Sequence, residues 1–270
     1  MSAYTCQQKN YGHPCFGGEA HHNIGRIHLA VAPSCNIKCK YCTRRHDCAN
    51  ENRPGVASKV LSPAQALEWV KQAVKQDSRI KVVGIAGPGD PLANETTFET
   101  FRLVHQEFPD LIKCLSTNGL LLPDRLDDLT EAGVSSLTVT INAIDPWIGE
   151  KIYSWVKYRG RIFYGRDAAS LLSTNQLLGV SRAIEHGLRL KVNSVLIPGL
   201  NDRELPELAR ILRDLGVSMM NIMPLIPQAD LAHFPAPAAG ELSRMRDECE
   251  KILPQFRHCK QCRADAVGLL

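Results

Sequence analysis

No run of about 18 apolar residues occurs in the sequence, so no segment reads as a membrane span. The first residues, MSAYTCQQKN, lack the apolar stretch of a secretion signal, so export is not expected and the chain is read as cytoplasmic. Concentrated basic charge is missing too. The 32 Lys and Arg against 28 Asp and Glu leave +4, without the clustered footprint of a nucleic-acid binder. There is no internal repeat and no low-complexity block. With 44% hydrophobic and 22% charged residues, the composition excludes disordered, collagen-like and coiled-coil chains. A length of 270 residues suggests two domains at about 150 residues each, but an α/β barrel of this length counts as one.

What the sequence does have is cysteine, ten in all. In a reducing compartment they read as metal ligands or reactive thiols, although an even count leaves a disulfide framework formally open.

Residues 1–25 are irregular, punctuated by Gly12, Pro14, Gly17 and Gly18. RIHLAVAP (26–33) reads as a first strand running into Cys35. Ser62 then caps a helix over 62–77, with Pro63 in its first turn. Further strands are expected at 81–87, 112–118, 135–142, 189–199 and 218–227, and helices at 95–108, 123–133, 167–186, 202–215 and 240–253. The aromatic stretch 153–165 breaks this rhythm and reads as an inserted loop or short hairpin. About six alternations of strand and helix predict a parallel sheet with right-handed crossovers. The expected fold is α/β, an open, partial (β/α)6 TIM-like barrel at 26–230, with irregular extensions at 1–25 and 231–270. In such sheets ligands collect at the C-terminal ends of the strands.

Cys35, Cys39 and Cys42 form a CxxxCxxC loop directly after the first strand. Three thiolates this close repel one another unless a cation holds them. A cubane iron–sulfur cluster does so and leaves one iron open to a chelating small molecule. A zinc site short of a fourth ligand is the alternative. Cys259 and Cys262 form a CxxC near Cys249, which suits a cluster, a redox pair or half a zinc site. Cys114 in a strand is ordinarily a small buried hydrophobe, and His28 ordinarily a hydrogen-bonded core residue. In GIAGPGDPL (84–92), Gly87 and Gly89 let backbone approach a ligand, and Asp90 can accept from an amine; an ordinary glycine turn is the alternative. Thr117, Asn118, Thr140, Asn142, Asn193 and Val195 lie at the ends of later strands, as ligand contacts or as turn residues.

The cysteine loop, with Tyr41 before its last cysteine, resembles the radical S-adenosylmethionine (SAM) superfamily. That resemblance implies a [4Fe–4S] cluster on Cys35, Cys39 and Cys42 whose open iron binds SAM. It also implies SAM contacts from Gly87, Gly89, Asp90, Thr117, Asn118, Thr140, Asn142, Asn193 and Val195. Gly-Pro-Gly-Asp here departs from the superfamily's Gly-Gly-Glu-like segment. HPCF (13–16), EAHH (19–22), RIHLAVAPSCN (26–36), RRHDCANENRPGV (44–56), GPGDPLAN (87–94) and CRADAVGLL (262–270) together resemble the NifB family of nitrogenase-cofactor biosynthesis proteins, in its short form without a NifX-like domain.

The NifB resemblance implies two further [4Fe–4S] clusters, K1 and K2. Cys249, Cys259 and Cys262 are assigned to one, and Cys15, His28 and Cys114 to the other. Cys48 and Glu51 would bind iron transiently during rearrangement, with Arg44, Arg45 and Arg53 steadying an anionic cluster or carboxylate. Cys6 is read as a non-ligand, and His21 and His22 as outer donors or exposed residues. The implied reaction has one SAM methylate a sulfide, leaving S-adenosylhomocysteine. A second SAM yields a 5′-deoxyadenosyl radical that abstracts hydrogen from the new methyl, and fusion gives an [8Fe–9S–C] product. Implied partners are SAM, iron–sulfur cluster donors, a NifEN-type scaffold and a NifX-type carrier, with no nucleic acid and no membrane. A radical SAM peptide maturase and a non-catalytic cluster scaffold are the competing readings.

Overall fold

A computed structural model describes residues 12–16, 20–43, 48, 57, 59–259 and 262–269. The elements in chain order are α1 (Ala20–Asn23), β1 (Gly25–His28), β2 (Ile37–Cys39), α2 (Pro63–Gln76), β3 (Ile80–Ile85), α3 (Glu95–Glu107), β4 (Ile112–Thr117), α4 (Leu122–Glu131) and β5 (Val134–Thr140). They continue with α5 (Pro146–Ile152), β6 (Tyr153–Tyr158), β7 (Arg161–Phe163), α6 (Gly165–Glu185), β8 (Arg189–Leu196), α7 (Leu205–Asp214), β9 (Met219–Pro224), α8 (Ala239–Glu250) and β10 (Val267–Gly268).

Local chemistry explains the boundaries. Ser62 opens α2 with a capping box: its hydroxyl accepts from the Gln65 N–H at 3.3 Å, and the Gln65 side chain accepts from the Ser62 N–H at 3.1 Å. Pro63 occupies the first turn, where no N–H is needed. Ala66, Val70 and Ala73, at helical spacing, are the buried face.

Six strands pair in parallel in the order β1-β3-β4-β5-β8-β9, and β10 adds an antiparallel edge to β1. This is the partial (β/α)6 barrel expected. The apolar layer between strands and helices includes Ile27, Val83, Ile85, Leu115, Leu137, Val139 and Val192 from the sheet. Val70, Phe98, Phe101, Leu126, Leu129, Val180 and Leu208 meet them from the helices. Each such side chain contributes about 1.5–3 kcal/mol on burial.

One feature differs from the sequence reading and another, a short hairpin it allowed, goes beyond it in its pairing. The first strand ends at His28 rather than running to residue 33; the chain then continues beside β3 through single bonds such as Leu29 N–H to the Gly84 carbonyl at 2.9 Å. The stretch 153–165 is a hairpin, β6–β7, and β6 pairs antiparallel with β2. Ile37 lies opposite Val156 and Lys38 opposite Trp155, so the insertion braces the cysteine loop. No helix among the described residues is long and apolar enough to cross a membrane.

Candidate active site

The cysteine loop is tied down from four sides. Its first turn is held by the Asn94 carboxamide, which donates to the Ser34 carbonyl at 2.9 Å and accepts from the Ser34 N–H at 3.1 Å. Gly89 packs so close that a Cβ there would lie 2.2 Å from the Ser34 oxygen. Only glycine allows that approach. Asn118 donates to the Asn36 side-chain oxygen at 2.7 Å and lies 3.9 Å from Cys35 Sγ. The Asn142 carboxamide donates to the hydroxyl of buried Tyr41 at 2.6 Å. The hairpin closes the fourth side. Cys35, Cys39 and Cys42 all border one apolar cluster at this end of the sheet.

Of the residues expected to contact SAM, Asp90, Thr117 and Asn118 are linked to each other, as are Asn142 and Val195, whereas Asn193 lines the cavity described next. Asp90 accepts from Thr117 Oγ1 at 2.9 Å, the Asn118 N–H at 2.6 Å and the Leu92 N–H at 3.0 Å. Burial nevertheless pushes its carboxyl up to about 6, against the pull of those donors. The Val195 N–H donates to Asn142 Oδ1, and the Val195 carbonyl accepts from Asn201. Gln176, which the sequence reading did not single out, donates to the carbonyls of Asn118 and Thr140 at 2.7 and 2.8 Å. Asn193 accepts from Asn221 at 3.0 Å. Gly87 accepts from the Ala32 N–H at 3.2 Å. Buried polar groups must be paired, and here they pair across strand ends. Asp90→Ala would leave the Asn118 and Leu92 donors unsatisfied. We expect a loss of about 2–4 kcal/mol in chemical denaturation; a change under about 0.5 kcal/mol would show the carboxylate does not hold β3 to β4.

A second cavity lies inside the sheet. It is a small cavity of about 60 Å³ that opens to solvent, and Cys15, His28, Cys114, Cys259 and Cys262 line it. His28, Gly84 and Cys114 are cross-strand neighbours on β1, β3 and β4. A Cβ on Gly84 would lie 2.9 Å from His28 Cδ2, 3.2 Å from His28 Nε2 and 3.2 Å from Cys114 Sγ. The bare glycine lets imidazole and thiol close over it. His28 Nδ1 is 3.1 Å from the Arg263 carbonyl, which only accepts, so Nδ1 carries the hydrogen and Nε2 keeps its lone pair. Burial first, then the Arg26 charge, lowers the His28 pKa to about 4, so the ring is neutral. Burial raises the thiol pKa of both Cys15 and Cys114, so ligation there must release protons.

Two buried cations stand at the cavity, Lys191 in its lining and Arg26 behind Cys262. Arg26 donates to Cys262 Sγ at 2.6 Å and to the Gly268 carbonyl at 2.8 Å. Lys191 donates to the Cys15 carbonyl at 3.2 Å and lies 4.7 Å from the Phe256 ring centroid. Neither was anticipated from the sequence.

The structure does not bring Cys249 to Cys259 and Cys262, against the sequence expectation. Its side chain is fully buried in the main apolar core, with Sγ 3.9 Å from Met245 Sδ, and burial pushes its thiol up to about 12. Among the described residues, Cys259 and Cys262 line the same cavity as Cys15, His28 and Cys114. Cys48 is half-buried, within electrostatic reach of Tyr41. Glu51, Arg44, Arg45, Arg53, Cys6 and the side chain of His21 lie outside the described residues, and His22 is exposed.

Residues 29–212 match the radical SAM superfamily. A curated relative from Methanocaldococcus jannaschii, named FeMo cofactor biosynthesis protein NifB, is 48% identical over 261 residues, covering 96% of this chain and 86% of that protein. The chain belongs to the NifB family of radical SAM proteins. The NifB of Chlorobaculum tepidum is likewise 48% identical over 261 residues, but this chain spans only 62% of its length. It spans 51% of the Herbaspirillum seropedicae NifB. Among solved structures, a radical SAM methyltransferase from Sphaerobacter thermophilus is similar in fold, with TM-score 0.57 and 21% identity over 86% of this chain and 64% of that one.

Membership in the NifB family implies a [4Fe–4S] cluster and SAM, and the donor set fits them. Among the described residues no three His, Cys, Asp or Glu converge as on a single metal ion. A cubane takes each thiolate on a different iron, so its ligands surround a space instead of converging on a point. Cys35, Cys39 and Cys42, carried on one braced loop and packed against one apolar cluster, supply three thiolates of the kind such a cluster takes.

Proposed function

We propose that this chain is a radical SAM enzyme that takes two [4Fe–4S] clusters, K1 and K2, as substrates and fuses them around a SAM-derived carbide into an [8Fe–9S–C] product. The observation that carries this reading is the cavity lined by Cys15, His28, Cys114, Cys259 and Cys262 inside the same barrel as the cysteine loop. Few proteins have use for five soft or imidazole donors in one buried space unless it holds iron–sulfur cargo.

Cys35, Cys39 and Cys42 would hold the resident cluster, which with SAM on its open iron supplies the electron that splits SAM into methionine and a 5′-deoxyadenosyl radical. The polar residues at the ends of β3, β4, β5 and β8 would orient SAM. Cys15, His28 and Cys114 would hold one substrate cluster, and Cys259 and Cys262 the other. Arg26 and Lys191 would offset the negative charge of the cargo in a space that screens charge poorly. Cys48 and Glu51 would take iron transiently as the clusters rearrange.

The atoms balance as follows. A sulfide of a substrate cluster takes the methyl of one SAM and releases S-adenosylhomocysteine. The radical from a second SAM removes one hydrogen atom from that methyl and leaves as 5′-deoxyadenosine. The two remaining hydrogens leave as protons, the carbon–sulfur bond breaks with the sulfide kept in the cluster, and the electrons that bring the carbon to carbide come from the cluster irons and the supplied reductant. Two clusters bring eight sulfides, so the ninth comes from an inorganic sulfur source. Cluster donors, a NifEN-type scaffold and a NifX-type carrier belong to the same proposal.

The test is anaerobic. The protein is reconstituted with iron and sulfide, given dithionite and SAM, and both SAM products are measured by mass spectrometry. S-adenosylhomocysteine and 5′-deoxyadenosine are both expected. Appearance of 5′-deoxyadenosine alone would argue against carbide insertion; neither product from a loaded sample would favour a cluster scaffold.

A further inference from the structure

His13 sits in the same cavity as Cys15 and His28 but is wired the opposite way. It is 4% exposed and stacks edge-on against Phe16, with ring centroids 5.1 Å apart. Its Nδ1 accepts the Cys15 backbone N–H at 3.1 Å. An imidazole nitrogen that accepts holds a lone pair there, so in the neutral ring the hydrogen is on Nε2. His13 Nε2 is buried and has no hydrogen-bond partner among the described residues. In His28 the carbonyl of Arg263 takes the Nδ1 hydrogen and leaves the lone pair on Nε2. One ring therefore offers the cavity a lone pair, and the other an N–H.

We infer that His13 is not an iron ligand but a hydrogen-bond donor, its Nε2–H directed to a sulfide of the substrate cluster held by Cys15, His28 and Cys114. A buried donor without an acceptor is costly, and a bridging sulfide is the acceptor this cargo brings. Hydrogen bonds to cluster sulfurs make reduction easier, because they stabilise the added negative charge. The Cys15 N–H that orients the ring belongs to a ligand residue, so the donor is positioned together with the thiolate beside it. His13 is thus a positioning and tuning residue, acting on the sulfide that is a candidate methyl acceptor.

This inference rests on the substrate-cluster reading of the cavity, and the experiment separates the two. Wild type, Cys114→Ala, His13→Phe and His13→Gln are reconstituted, and iron content and the oxidised-to-reduced ratio at fixed solution potential are measured by electron paramagnetic resonance. Both His13 variants are expected to keep wild-type iron. His13→Phe should shift the ratio about tenfold toward the oxidised form, the scale of one charge-assisted hydrogen bond, and His13→Gln, which retains an N–H, should stay near wild type. Loss of a cluster's iron in either His13 variant would make His13 a ligand and overturn the inference, as would an unchanged ratio in His13→Phe. If Cys114→Ala keeps all its iron, the cavity reading itself fails. Should His13→Phe not fold, pulsed resonance on wild type labelled with [15N]histidine decides: one strong nitrogen coupling and one weak are expected, and two strong couplings, or no weak one, would overturn it.

Discussion

Cys39→Ser is expected to abolish both SAM products, a fall of at least about a thousandfold, while the cavity keeps its iron. Cys39 closes β2, is 5% exposed, and its backbone lies opposite Tyr153 of the hairpin. Serine nearly matches cysteine in size, so the loop should keep its path. A serine hydroxyl is not a soft thiolate, however, and is a poor iron ligand. With two cysteines left, the resident cluster loses its hold, and SAM loses the iron that chelates it. In the proposed reaction both SAM molecules bind in turn at this one iron, so methyl transfer and radical cleavage should fail together. Iron analysis should show one cluster missing of three. Persistent 5′-deoxyadenosine from Cys39→Ser would remove this loop from its assigned role.

The second large effect is a contrast between two cysteines ten residues apart. Cys259→Ala should lose about one cluster's iron with little change in the melting of the unloaded protein, because Cys259 is only half-buried and lines the cavity. Cys249→Ala should do the reverse. Its thiol fills space in the core, fully excluded from solvent, so truncation leaves a small void and costs about 1–2 kcal/mol with iron unchanged. Equal iron loss in the two variants would contradict the placement of Cys249. Iron analysis beside thermal melts of the unloaded proteins reads both effects.

Cys249 also shows how the sequence reading went astray and how it could have done better. Proximity to Cys259 and Cys262 suggested a shared ligand role, but Leu242, Met245, Cys249 and Ile252 recur at helical spacing and pack on or in the core. That apolar stripe was the better guide. The alternation of strands and helices was legible because each βα unit is a local pattern. The gathering of residues 15, 28, 114, 259 and 262 was not, since it depends on which strands neighbour one another and on a tail that returns to β1. A weaker signal existed. Arg26 and His28, Cys114 and Ser116, Ser136 and Thr138, and Lys191 and Asn193 place polar residues at every second position of four strands. Period-two polarity in a helix-covered parallel sheet marks a face turned to a lumen, since buried strands otherwise read as continuous apolar runs. The bracing hairpin left no comparable trace beyond its aromatics, because its partner β2 is only Ile37–Cys39.

Gly84 sets a limit on how far this protein can be improved by ordinary stability engineering. A glycine in the interior of a central strand weakens the sheet, and alanine or valine would normally raise stability by about 0.5–1 kcal/mol. Any optimisation that ranks substitutions by strand preference would therefore target this position early. Here the added carbon would press on His28 and Cys114 together. On the proposed reading, whatever the strand gained would be set against the space the clusters would need, a trade-off between robustness and activity localised to one missing methyl group.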